Sequence, residues 1–258
     1  MIISREITIP ALSGDEPLRA WVYLPEDWDG KEKRRYPVLY MFDGQNVFFD
    51  EEATYRKSWG MADFAEYTDL PVIVAAVESH RGPNGERLSE YSPFTVREPG
   101  LGGYVAGRGR TTMDWLVGEF KSMIDAEFPT LSDREHTFIA GSSMGGLMSL
   151  YAVTEYNHVF SRAACLSPSV WFATDRLDQL LRTVPLEKDT VIYMDYGSNE
   201  MKFHPNMKKQ FARVTQRLLE RDVHLTARIV PGGDHCEACW EKQIPFFMKL
   251  LLYGIEEE

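Results

Sequence analysis

The sequence lacks most of the features that assign a protein at once. It holds three cysteines in 258 residues, an odd count too low for a disulfide-built fold. No stretch approaches the roughly 18 consecutive apolar residues that a membrane-crossing helix needs. At the N-terminus, Arg5 and Glu6 interrupt the apolar run a secretory leader would require. A cytoplasmic location is therefore expected. Basic residues are in deficit, 28 against 39 acidic, for a formal net charge of −11. Such a balance works against nucleic-acid binding, which rests on neutralising phosphates, and against an anionic membrane surface. Its simplest role is solubility. There is no internal repeat and no complete G-x-G-x-x-G after a strand, which removes the dinucleotide-binding reading. Cys236 and Cys239 form a single C-x-x-C with no second pair to complete a four-ligand zinc site. They read as packing thiols, and neither a metal nor a cofactor is expected.

What is present is an alternation of apolar segments. Hydrophobic residues make up 44% of the chain. Strand-like runs fall at Ile2–Ile9, Leu18–Leu24, Val38–Phe42, Val72–Val77, Thr137–Ala140, Ala163–Leu166, Thr190–Met194 and Leu225–Val230. Several are continuously apolar, as strands covered on both faces are. The first two alternate and are expected to pair antiparallel. Helical spacing appears at Thr112–Glu127, Ser143–Tyr156, Trp171–Arg182, Pro205–Arg221 and Ala238–Tyr253. Alternating strands and helices predict an α/β protein: a mostly parallel central sheet of about eight strands with helices on both faces, forming one domain over residues 1–258. Arg81–Arg110, with seven glycines between Gly82 and Gly109, breaks the alternation. A loop this long is usually functional, and it is expected to be a substrate-side loop or small cap. Its Gly100–Gly103 stretch reads as a flexible turn.

The sharpest signal is Gly141-Ser142-Ser143-Met144-Gly145, a G-x-S-x-G between a short strand and an amphipathic helix. A serine on such a turn is forced into strained backbone geometry, and its neighbours must lack bulk for the turn to close. The helix start behind it aims amides at a developing oxyanion. The pattern reads as a nucleophile elbow of the α/β-hydrolase type, with Ser143 expected at its apex, rather than as a plain glycine-rich turn. In that fold the acid and then the histidine follow the serine. Of six histidines, His235 sits in a short loop beyond the last strand, at the elbow's end of the sheet; His224 starts the same strand and is at the wrong end. For the acid, the strand at Thr190–Met194 leads to two carboxylates. Glu200, beyond the Gly197 turn, is better placed to reach His235 than Asp195, which is expected to hold the loop. The oxyanion donors are expected to be the amides of Met144 and of Gln45, the latter in the Asp43-Gly44-Gln45-Asn46 turn after the third strand.

With these residues placed, the chain resembles the putative esterase family of α/β hydrolases, which includes esterase D-like enzymes, feruloyl esterases, enterochelin-type siderophore esterases and, more distantly, the antigen 85 acyltransferases. The likeness runs from Leu18 to about Tyr253. It is carried by Tyr40-Met-Phe-Asp-Gly-Gln-Asn46, Glu90-Tyr-Ser-Pro93, the elbow, Leu166-Ser-Pro-Ser-Val-Trp171, Asp195-Tyr-Gly-Ser-Asn-Glu200 and Gly233-Asp-His-Cys-Glu-Ala-Cys-Trp240. The resemblance implies Ser143 as nucleophile, His235 as base, Glu200 as acid, and Gln45 and Met144 as oxyanion amides. The chain departs from the pattern at Asn157-His158, at a helix exit, and at the cysteines beside His235.

The expected activity is hydrolysis of a small-molecule acyl ester of a carbohydrate or an aromatic acid. Trp171 is expected to stack on a sugar or phenolic ring, although aromatics at a helix start commonly serve the core. Arg81, Arg87, Arg108 and Arg110 are candidates for holding an anionic ligand, which would favour the alternative of a siderophore lactone hydrolase. Acyl transfer to a sugar is a third reading. A non-catalytic binding protein on this fold is disfavoured because every catalytic role has a candidate. A homo-oligomer is left open by the sequence.

Overall fold

A computed structural model describes residues 1–28, 34–82, 85–98, 103–202 and 204–255. Its strands are β1 (Ile2–Ile7), β2 (Leu18–Tyr23), β3 (Val38–Phe42), β4 (Ile73–Val77), β5 (Val96–Glu98), β6 (Gly103–Val105), β7 (Thr137–Ser142), β8 (Arg162–Leu166), β9 (Val191–Gly197) and β10 (His224–Val230). Eight of them form one sheet in the order β1-β2-β4-β3-β7-β8-β9-β10, and β5 and β6 form a separate antiparallel hairpin. β1, β2 and β4 pair antiparallel. From β4 to β10 every neighbouring pair is parallel.

Successive side chains of a strand point to opposite faces, and here both faces are apolar. Val38, Tyr40 and Phe42 of β3 enter one core with the helices at 109–127, 144–155, 174–183 and 207–219. Leu39 and Met41 enter the other, with the helices Met61–Thr68 and Ile244–Leu251. The helix Met144–Glu155 is buried from Met144 to Thr154. The amphipathic pattern expected of this helix is therefore not found: it lies within the core and has no solvent-facing polar side.

Element boundaries depart from the expected ones for local reasons. The helix expected over Ala238–Tyr253 divides into Glu237–Glu241 and Ile244–Leu251, because Pro245 lacks an N–H and sits at the start of the second piece. β9 runs three residues beyond Met194, so Asp195 lies inside the strand. The helix expected from Trp171 begins at Thr174. Within residues 81–110 there is a helix at Glu86–Glu90 and the β5–β6 hairpin. Of the turn expected at Gly100–Gly103, only Gly103 is among the described residues.

The parallel strands end at one rim. Asp43 follows β3, Glu78 follows β4, Ser143 follows β7, Ser167 follows β8 and Ser198 follows β9. Open α/β sheets bind ligands at this rim. The second core anchors it from below. Phe247 is fully buried, its ring 6.2 Å from those of Trp59 and Tyr193. Phe247→Ala should cost about 3–5 kcal/mol, seen as a lower midpoint in thermal or urea unfolding.

Candidate active site

Ser143 occupies φ 58°, ψ −121° between β7 and the helix Met144–Glu155. An L-residue rarely adopts this conformation, so the surrounding structure must impose it. The imposing contact is backbone against backbone. A Cβ on Gly141 would stand 2.7 Å from the carbonyl of Gly145. The serine's own N–H donates to the Leu166 carbonyl (2.9 Å), and its carbonyl accepts from Ser169 (3.0 Å).

The turn after β3 is also strained and tightly held. Asp43 lies in the left-handed region at φ 58°. Arg87 donates to both of its carboxylate oxygens, each at 2.6 Å, and Ser79 Oγ donates to Oδ1 at 2.8 Å. The Gln45 side chain is occupied in the same network, donating to Ser79 Oγ (3.1 Å) and accepting from Ser79 N–H (3.2 Å). Its backbone N–H and that of Met144 have no acceptor among the described residues.

His235 Nδ1 stands 2.8 Å from Glu200 Oε2. The other oxygen of Glu200 accepts from Ser167 Oγ (2.7 Å) and from the Gly197 N–H (2.7 Å). Trp240 Nε1 donates to the same Ser167 oxygen at 2.9 Å, and its ring stands edge-on to the imidazole at 5.1 Å. Burial alone would raise the Glu200 carboxyl, but the hydrogen bonds from His235, Ser167 and Gly197 outweigh it and hold the group below its ordinary value. Among the described residues Asp195 forms no hydrogen bond with His235. It accepts from the Tyr193 hydroxyl (2.6 Å) and the Ser167 N–H (3.3 Å), and burial pushes it up to about 6.

Ser143 and His235 line one cavity of about 470 Å³ together with Asp43, Gln45, Arg87 and Glu237. Among the described residues no hydrogen bond joins the two side chains.

The family described as "Putative esterase" matches residues 13–251. The chain belongs to that family. It is a carboxylic ester hydrolase on the α/β-hydrolase fold. Among similar proteins, the siderophore triacetylfusarinine C esterase of Aspergillus fumigatus is 29% identical over 164 residues, 61% of this chain and 53% of that protein. An IroE-like serine hydrolase from Shewanella oneidensis superposes with a TM-score of 0.77 at 18% identity, covering 99% of this chain and 82% of that one. A ferulic acid esterase superposes with a TM-score of 0.71 at 15% identity, covering 98% and 97%.

The structure of this esterase does not bring every expected ligand-binding residue to the cavity. Trp171 lines a separate cavity of about 520 Å³ and stacks on His204 at 4.7 Å, because the helix begins three residues later than its spacing implied. Arg110 pairs with Glu155 at 3.2 Å, at the opposite end of the 144–155 helix from the elbow turn, and Arg108 donates to the carbonyls of Ala11 and Leu12. Arg81 and Arg87 do line the cavity, but each is already matched to a carboxylate, Glu78 and Asp43. Ser167, Trp240, Asn46 and Glu237 had no assigned role. Their signal was membership of the Leu166-Ser-Pro-Ser, Tyr40–Asn46 and Gly233–Trp240 segments.

The two buried carboxylates have opposite pH signatures. Glu200 has a folded pKa below its unfolded value, so the stability it supplies is present above that value and lost as pH falls through the folded one. Asp195 is raised, so it costs nothing below the ordinary aspartate range, and its cost builds as pH rises from there to about 6 and is fully present above it. Thermal melts should therefore show D195N gaining on the wild type between pH 4 and pH 8, by about 1–3 kcal/mol. E200Q should lose ground on the wild type as pH rises through the acid range up to the ordinary glutamate value of 4.5, and no further above it.

Proposed function

We propose that this esterase is a serine carboxylesterase in which Ser143 is the nucleophile, His235 the general base and Glu200 the triad acid. The observation that carries the reading is the positive-φ elbow at Ser143 opening into the same cavity as an imidazole whose far nitrogen is held by a buried, ionised carboxylate. His235 Nε2 takes the Ser143 proton as the hydroxyl attacks the ester carbonyl. The tetrahedral oxyanion is met by the Met144 and Gln45 amides, both free of other acceptors among the described residues. The imidazolium returns its proton to the departing alkoxide, and water, activated by the same histidine, releases the acid. Glu200 fixes the Nδ1–H tautomer and stabilises the imidazolium without itself taking the proton. No cofactor enters these steps. We read the chain as one catalytic domain, with residues 81–110 as its cap on the substrate side, since Arg81, Gly82, Gly85, Glu86 and Arg87 line the cavity.

The substrate is a small ester, with an ester of a carbohydrate or of an aromatic acid as the leading reading. Hydrolysis of a siderophore ester is the second, favoured by the likeness to the triacetylfusarinine C esterase. The carboxylate pairing of both cavity arginines weakens the part of that reading in which arginines hold a free anion.

Ser143→Ala should abolish hydrolysis of a short aryl ester with no change in unfolding midpoint; retained turnover would refute the assignment. E200Q should lower kcat by about a hundredfold or more, and D195N by far less. Ser167→Ala removes a donor to Glu200, so it should raise that carboxyl and shift the acidic limb of the rate profile to higher pH. A mutant with an unshifted limb would make Ser167 a packing residue only.

A further inference from the structure

Glu237 is a buried carboxylate that the triad does not use. It is 5% exposed and lines the cavity that holds Ser143 and His235. Apart from its own backbone N–H, its one hydrogen-bond donor among the described residues is distant, Asn46 Nδ2 at 3.4 Å from Oε1. Among those residues it forms no ion pair, whereas the neighbouring Asp43 is gripped by Arg87 through both oxygens. Burial, and then the charge of Asp43, raise the Glu237 carboxyl above its ordinary value, so the site is unfavourable to its charge. A buried acceptor left this poorly matched costs stability. A ligand donor arriving in the cavity would relieve that cost.

The position of Glu237 says which part of a substrate it meets. In serine-ester hydrolysis the base returns its proton to the leaving oxygen, so the alcohol half of the ester lies on the histidine's side of the elbow. Glu237 is two residues past His235, at the start of the helix Glu237–Glu241 on that side. Its wall of the cavity carries the acceptor, and the cavity arginines that might have favoured an anion are already neutralised by Glu78 and Asp43.

Resting on the serine-esterase reading above, we infer that Glu237 selects the alcohol half of the substrate, accepting a hydrogen bond from a hydroxyl or ammonium group placed next to the scissile ester. The preferred substrates are thus esters of polyols, sugars or amino alcohols, and not esters of plain alkyl alcohols.

The test uses hydroxyethyl, ammonioethyl and propyl esters of benzoic acid. The wild type should show kcat/KM roughly tenfold higher for each of the first two than for the propyl ester. Glu237→Leu should bring both ratios close to one. Glu237→Gln keeps an acceptor oxygen but no charge, so it should retain the hydroxyl preference and lose the ammonium one; a hydroxyl ratio alone above one in the wild type assigns the donor as neutral. Ratios near one in the wild type, or unchanged in Glu237→Leu, overturn the inference. Should Glu237→Leu melt early, the ratios are read in Glu237→Ala, which should likewise bring both close to one; unchanged ratios there overturn the inference. Calorimetric binding of the same esters to Ser143→Ala needs no turnover. Tighter binding of the hydroxyethyl than the propyl ester there, lost on adding Glu237→Leu, would uphold the role of Glu237 even if the wild type hydrolysed none of them. Equal binding with intact wild-type turnover would sink the inference and leave the esterase reading standing.

Discussion

The backbone of Gly141 and Gly145 meets at a distance that no side chain could share, and this contact fixes Ser143 in a conformation it would not choose. The strain is of order 1–3 kcal/mol for one residue, and it is borne by what surrounds the turn. β7 lies between β3 and β8 in the middle of the sheet, and the helix that follows is buried along nearly its whole length. An elbow on an edge strand would relax. Here it has no room to do so, and the serine stands at the rim above the sheet with a helix start behind it.

The rim is then furnished by one residue or short turn from each neighbouring strand, and these are cross-linked by side chains. Ser167, just past β8, ties Trp240 to Glu200, and Glu200 ties the end of β9 to the loop bearing His235. Close backbone approach of Gly197 and Gly233 permits that last junction. On the other flank, Asp43 gathers Arg87, Ser79 and the Tyr91 hydroxyl around the turn after β3. Both networks are buried and densely bonded, which fixes groups more firmly than exposed pairs would. Among the described residues no hydrogen bond joins the Ser143 hydroxyl to the His235 imidazole, whose Nδ1 is held by Glu200.

Much of this could be read from the sequence because it follows from local patterns. Near-continuous apolar runs marked the buried strands, and G-x-S-x-G between strand and helix marked the elbow. The Gly197 turn separates the two carboxylates: Glu200 beyond it reaches His235, whereas Asp195 is inside β9, turned toward Tyr193 and the Ser167 amide. What escaped depends on distant residues meeting. Ser167 and Trp240 are 73 positions apart, and Asn46 and Glu237 are 191 apart. Nothing in either local segment announces the partner. Trp171 and Arg110 stand apart from the cavity of Ser143, since a side chain near a given rim by sequence can still point into a different hollow.

The central claim is that Ser143 is the one activated hydroxyl of the molecule. Treating the folded protein with a fluorophosphonate and mapping the adduct by peptide mass spectrometry tests it most directly. The account predicts a single phosphonylated residue, Ser143, with Ser142 and Ser167 unmodified and the labelling abolished in His235→Ala. An adduct on another serine, or an unlabelled Ser143 in protein that hydrolyses esters, would contradict it.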